Sequence, residues 1–175
     1  MIRPATIADT PAICELIRGL AEYERLTDKL DLDDDRLRAH LFGPRPVAEV
    51  LLAEEADEVV GFALFFPIFS TFLCKLGLYL EDLFVVPAHR GKGHGKALLT
   101  ALARLAVQRD CGHLEWTVLR WNQPAIDFYQ SLGAFPMDQW CNYRLMGDAL
   151  VRIGSSEVFQ NESHHGLGGP RYPIS

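Results

Sequence analysis

The sequence predicts an α/β domain with one sheet of about six to seven strands and about four flanking helices, and three observations carry that expectation. Short apolar runs of strand length recur along the chain. Between them lie stretches whose apolar residues return every three to four positions, the period of a helix buried on one side. A glycine-rich turn, His89-Arg90-Gly91-Lys92-Gly93-His94-Gly95-Lys96, joins a strand-like segment to one of these helical stretches.

A first strand is expected near Ile2 to Thr6. A helix follows, capped by Asp9 or Thr10 with Pro11 in its first turn, and Ile13, Leu16, Ile17, Leu20 and Tyr23 form its apolar stripe. A shorter helix should run from about Asp34 to Leu41 and stop at Gly43-Pro44. Strands are expected near Val47 to Ala53 and Val59 to Phe69, joined by a turn around Ala56-Asp57, and again from Leu78 to Val86. After the glycine turn, Ala97, Leu98, Ala101, Leu102 and Leu105 mark a helix that ends near Cys111-Gly112. Next come a strand from His113 to Leu119, a helix from about Pro124 to Leu132, and strands around Ala134 to Met137 and Tyr143 to Met146.

At 175 residues the chain has the length of one domain, expected over 1–150, with a tail at 151–175. From Gly154 on, that tail is poor in apolar residues, so composition predicts disorder unless a partner subunit orders it. The most apolar region, Val59 to Leu73, contains Gly61 and Pro67 and is bounded by charges, so it reads as a buried strand and no membrane association is expected. Met1-Ile2-Arg3-Pro4 lacks a signal-peptide core, which predicts a cytoplasmic protein. Cys14, Cys74, Cys111 and Cys141 show no Cys-x-x-Cys spacing, predicting reduced, mostly buried thiols and no metal site. His164-His165 lacks companion ligands and reads as solvated. A net charge of −6 opposes nucleic-acid binding and favours a cationic partner such as an amine.

The glycine turn can hold a phosphate, because backbone N–H groups at a helix N-terminus collect roughly half a positive charge. A nucleotide-triphosphate loop would need a glycine at Arg90 and a hydroxyl residue at Ala97. A dinucleotide fingerprint from Gly91 would need a third glycine at Lys96. What remains is Arg-x-x-Gly-x-Gly at Arg90, Gly93 and Gly95. Downstream stand Trp121-Asn122-Gln123-Pro124-Ala125-Ile126-Asp127-Phe128-Tyr129 and Leu132-Gly133-Ala134-Phe135. Together these segments resemble the two halves of the acetyl-CoA site of the GNAT N-acetyltransferases. Ile2-Arg3-Pro4-Ala5-Thr6, Tyr79-Leu80-Glu81-Asp82 and Trp121-Asn122 resemble the diamine or polyamine (spermidine/spermine) and thialysine branch of that family.

The resemblance implies a mixed, mostly antiparallel, twisted sheet, acetyl-CoA as co-substrate, no metal, and a small amine acceptor. It also implies a homodimer, with active sites near the subunit interface. Glu81 matches the family's base, acting through water, with Asp82 on the opposite strand face; the bland alternative has one carboxylate in solvent and the other capping an amide. Tyr129 matches the general acid that protonates the leaving thiolate, or else packs with Ile126 and Phe128. The backbone of Leu83, Phe84 and Val85 would bind the pantetheine arm as an added strand, with a bulge or splay aiming an N–H at the thioester oxygen. Gly91, Gly93 and Gly95 would cradle the pyrophosphate, and Arg90, Lys92 and Lys96 would offset its charge. His94 joins them or is simply solvated. Asn122 contacts the cofactor or caps the next helix, and both roles are compatible.

Tyr23 and Glu24 match acceptor-contacting residues of the polyamine branch, while Asp31 to Asp35 reads as a solvated acidic face. Thr71 and Cys141 stand where that branch has acidic residues, which favours a shorter or singly charged amine. A peptide or protein amine acetyltransferase, and a CoA-binding regulatory module without catalysis, are the alternatives.

Overall fold

Five strands form one sheet in sequence order, β1 (Ile2–Pro4), β2 (Glu49–Glu55), β3 (Glu58–Ser70), β4 (Lys75–Val85) and β5 (His113–Trp116). The first three pairings are antiparallel and β4 with β5 is parallel, as the crossover through a helix requires. The helices are α1 (Thr10–Tyr23), α2 (Asp34–Phe42), α3 (His94–Gln108), α4 (Gln123–Ser131) and α5 (Gly147–Gly154). This computed structural model describes residues 1–155. It divides into two units, Met1–Gln123 and the segment from Pro124 onward. The tail beyond 155, with His164 and His165, lies outside the described residues.

In the first unit, alternation along the strands sends side chains to two covered faces. Val50, Leu52, Phe62, Leu64 and Phe84 cluster with Ile13 and Leu16 of α1 and Leu41 of α2. The stripe expected on α1 is present, Ile17, Leu20 and Tyr23 packing as partly buried residues around that core. Intervening residues such as Leu51, Ala63 and Phe65 are buried on the other face, where α3 buries Leu98, Leu99, Leu102 and Ala106.

The N-terminal strand is short and is held by side chains. Arg3 donates from Nη1 and Nη2 to both oxygens of Asp9, at 2.8 and 2.7 Å, and from Nε to Glu54 at 2.7 Å. Thr6 closes a capping box on Asp9, its N–H and Oγ1 donating to Oδ2 at 2.7 and 2.8 Å. Asp9 is in turn the N-cap residue of α1, so one carboxylate ties β1 to the first helix.

Some expectations need correction. The second unit contains α4 and α5 and no strand among the described residues, so the sheet has five strands rather than six or seven. The segments at 134–137 and 143–146 are rich in apolar residues, but a strand needs a hydrogen-bonded neighbour. Phe135 and Tyr143 are instead 78 % and 96 % exposed. A fifth helix at Gly147–Gly154, absent from the sequence-based expectation, runs across the expected end of the domain. Of the cysteines only Cys14 is buried; Cys74 sits in the β3–β4 turn and Cys141 in an irregular segment, and both are exposed.

Candidate functional site

Register decides where the acidic pair on β4 points. Leu64 pairs with Asp82 but Phe65 pairs with Leu80, leaving Glu81 as the extra residue of a bulge. Cross-strand partners share a face, so Asp82 lies with Leu64 on the side covered by α1, whereas Leu80 lies with Phe65 on the side of α3. Without the bulge, Asp82 would follow Leu80 to the α3 side. The simple alternation that puts Glu81 and Asp82 on opposite faces is therefore broken here. Glu81 is exposed.

Asp82 is pushed up to about 7, first by burial and then by the charges of Glu81 and Glu24. Glu24, at the C-cap of α1, is itself raised by burial. The sequence places Glu24, Glu81 and Asp82 at an amine site, and the fold brings Glu24 and Glu81 each within electrostatic reach of Asp82. The chain turns sharply just after Glu24, with Arg25 at φ 60°. Asp31 to Asp35 behaves as the solvated face expected. Asp33 caps α2, and Asp31, Asp34 and Asp35 pair with Arg36, Arg18 and Arg38.

β5 pairs with β4 only as far as Leu80, opposite Trp116. Beyond that point Glu81, Asp82, Leu83, Phe84 and Val85 have no strand on the β5 side among the described residues. The bulge at Glu81 and the end of the β5 pairing at Leu80 lie just ahead of Leu83, Phe84 and Val85, the segment assigned to an extended ligand, rather than within it.

The glycine turn takes the conformation its composition suggests. Gly91 and Gly93 have φ of 78° and 89°, in the left-handed region that other residues enter at a cost, and Gly93 is the N-cap of α3. The first N–H groups of α3 have no partner inside the helix. Gly95 needs no special φ, and a methyl group built on it would come no closer than 4.0 Å to Val85 Cγ2. The space in front of this helix end suits a phosphate.

The cationic side chains do not all line that space. Arg90 Nε donates to the Val85 carbonyl at 2.9 Å, and its guanidinium lies 4.2 Å from the centre of the Tyr23 ring. The Tyr23 hydroxyl donates to Asn122 Oδ1 at 3.2 Å, and its ring meets Trp121 at 6.0 Å. Tyr23, Arg90 and Asn122, separate in sequence, therefore form one cluster, with Phe84 5.5 Å from the guanidinium. Asn122 is buried and immediately precedes α4.

Lys92 and His94 turn to a residue that sequence reading missed. Lys92 Nζ donates to the Glu55 oxygens at 2.9 and 3.0 Å, and His94 Nε2 lies 3.3 Å from Glu55 Oε2. His94 is not the solvated loop residue considered above, since its side chain is 16 % exposed. His89 Nδ1 lies 2.6 Å from the same oxygen. His89 and Lys92 hold Glu55 well below the usual carboxylate range, at about 2. Only the fold brings the β2–β3 hairpin to the loop, so no local signal marks Glu55. Lys96 is exposed and lines a cavity of about 800 Å³ with Gly93, Thr100 and Arg104, apart from the three carboxylates.

In the second unit, α4 carries Tyr129, half-buried, its ring 5.3 Å from that of Phe128. Among the described residues no group of three or more His, Cys, Asp or Glu is arranged to hold a metal, and no helix is long and apolar enough to cross a membrane.

Residues 11–134 match the model of the Acetyltransferase (GNAT) family. The chain belongs to that family. As a GNAT protein it is an amine N-acetyltransferase, in keeping with its named relatives. It is 38 % identical over 164 residues to thialysine N-epsilon-acetyltransferase of Bos taurus, covering 87 % of this chain and 96 % of that one. With L-ornithine N5-acetyltransferase NATA1 of Arabidopsis thaliana it shares 35 % identity over 202 residues, covering 90 % and 89 %. Among solved structures, an integron cassette protein from the mobile metagenome of V. cholerae has a TM-score of 0.75 at 29 % identity, covering 89 % of this chain and 98 % of that one. These matches agree with the thialysine branch that the GNAT motifs suggested.

Proposed function

We propose that the chain transfers an acetyl group from acetyl-CoA to the primary amine of a small cationic acceptor, by direct attack when both substrates are bound. The observation that carries this reading is the gathering of Glu24, Glu81 and Asp82 where β4 bulges, beside a strand edge with no β5 partner. Three carboxylates attract an ammonium group. The glycine turn at the start of α3 suits the pyrophosphate of the donor, Gly95 leaving room for it. Leu83, Phe84 and Val85 offer backbone groups to its extended arm.

A terminal alkylammonium has a reference pKa near 10.4, so a proton must leave before nitrogen attacks. Glu81 accepts it through water. The new C–N bond forms as the C–S bond breaks, and Tyr129 gives its phenolic proton to the departing sulfur. That role for Tyr129 rests on its place in the Trp121–Tyr129 motif. A second reading gives the amine proton to Asp82, favoured by its rise to about 7, where an acceptor is well matched to neutral solution. Under the first reading Glu81→Gln loses about a hundredfold or more in kcat, while Asp82→Asn chiefly raises the acceptor KM. Under the second the two effects exchange places.

Thialysine and L-ornithine, named in the relatives, are small molecules with a terminal amine, which agrees with the preference for a short acceptor drawn from Thr71 and Cys141. A steady-state screen with thialysine, ornithine, lysine, diamines, polyamines and amino-terminal peptides tests the proposal. The highest kcat/KM is expected among the first three. Preference for peptides would replace the acceptor assignment, and a folded protein that acetylates nothing would leave a CoA-binding module.

A further inference from the structure

We propose that Glu55 is the positioning residue of the glycine turn, tying His89, Lys92 and His94 into one cluster and fixing the start of α3 for an anionic ligand. The identity of that ligand rests on the acetyl-CoA reading above; the hold on the turn does not.

The glycine turn has no side chain at position 91 or 93. Gly91 and Gly93 make its backbone permissive, and among the described residues no atom outside their neighbours in sequence comes within 4 Å of where a Cβ would stand on either. Such a segment loses much conformational freedom when it is ordered. The Glu55 contacts are distributed to supply that order. His89 precedes both glycines, Lys92 lies between them and His94 follows them, and all three meet one carboxylate. Glu55 is itself well anchored. It pairs with Glu58 across a turn in which Ala56 and Asp57 both have positive φ, 50° and 64°. Glu58 Oε2 stands 4.0 Å from His89 Nε2, so this imidazole lies between two carboxylates.

Two effects of Glu55 oppose each other, which makes the proposal decidable. As a negative charge beside the turn, it lowers the local attraction for an anion, so Coulomb's law alone predicts tighter binding when it is removed. As an anchor it presents the helix N–H groups already ordered, so its removal weakens binding. With Lys92 and two imidazoles around it, and Glu55 one-third exposed, anchoring outweighs charge.

Glu55→Gln keeps the shape and removes the charge; Glu55→Asp keeps the charge and shortens the reach. Kinetics, calorimetric titration with CoA, and amide hydrogen exchange of the free protein are compared, with Tm as the control for folding. Glu55→Gln is expected to raise the KM for acetyl-CoA and the Kd for CoA by about three- to tenfold, to leave kcat within about twofold, and to speed exchange at 89–96. Glu55→Asp is expected to recover part of each loss. An unchanged or lower KM in a folded variant, or unchanged exchange at 89–96, overturns the proposal. If the parent protein binds no CoA, the donor assignment fails, and the exchange measurement still decides whether Glu55 holds the turn.

Discussion

Gly95 separates the needs of the fold from those of the ligand. Its φ is ordinary and an added methyl meets only Val85 Cγ2 at 4.0 Å, so the helix itself would accept alanine and gain up to about 1 kcal/mol. Gly95→Ala should leave Tm unchanged or slightly raised while weakening CoA binding about tenfold or more, read by thermal melting and calorimetry. Equal affinity would remove the turn from the phosphate site. Asp82 supplies a second test, with a definite sign. An acid whose folded pKa lies above its ordinary 3.8, here about 7, binds more protons folded than unfolded between those values, so its contribution to stability falls as pH rises from about 4 to 7. Asp82→Asn should therefore gain stability relative to the parent at pH 8, by about 1–2 kcal/mol, and lose that advantage at pH 4; denaturant melts at both pH values check it. The glycines were legible in sequence because φ is a property of one residue. The state of Asp82 was not, because it depends on a bulge and on Glu24, 58 positions earlier in the numbering.

At the scale of elements, β1 is three residues long, too short for its ladder to hold it firmly, and the Arg3 fork compensates. Arg3 strands two partly buried carboxylates if removed, so Arg3→Ala should cost about 2–3 kcal/mol and loosen the start of α1. Arg3 holds Asp9 well below the usual carboxylate range, so Asp9 stabilises the fold above about pH 4. That contribution is lost as acid protonates it, and Asp9→Asn should flatten the acid limb of the stability curve. Urea melts at pH 3 and pH 7 check both variants. The helices from 10 to 108 were legible because caps and apolar period agree: Pro11 and Asp9 start one, Asp33 caps the next, Gly93 precedes the third. Strand endings were less so. His113 to Leu119 reads as one strand in the sequence, yet the ladder stops at Trp116, since pairing rather than composition ends a strand.

For the whole molecule, the same reasoning explains the failure at 134–137 and 143–146, where apolar side chains were present and, among the described residues, a neighbouring strand was not. Phe135, Trp140, Tyr143 and Met146 are left exposed in the second unit. We propose that a second copy of the chain covers these side chains, in line with the family resemblance. Light scattering should give twice the 19.7 kDa of one chain, and Tyr143→Asp should lower that mass; a parent mass of one chain defeats the idea.

The end of β4 carries one more consequence. A strand edge that accepts an extended ligand is also a template on which any foreign strand can polymerise, and natural sheets guard such edges with bulges and charge. From Glu81 onward β4 has both, an extra residue that interrupts the ladder and two adjacent carboxylates. The groups assigned to amine chemistry thus also act as gatekeepers against aggregation, so removing both carboxylates at once would endanger solubility as well as turnover.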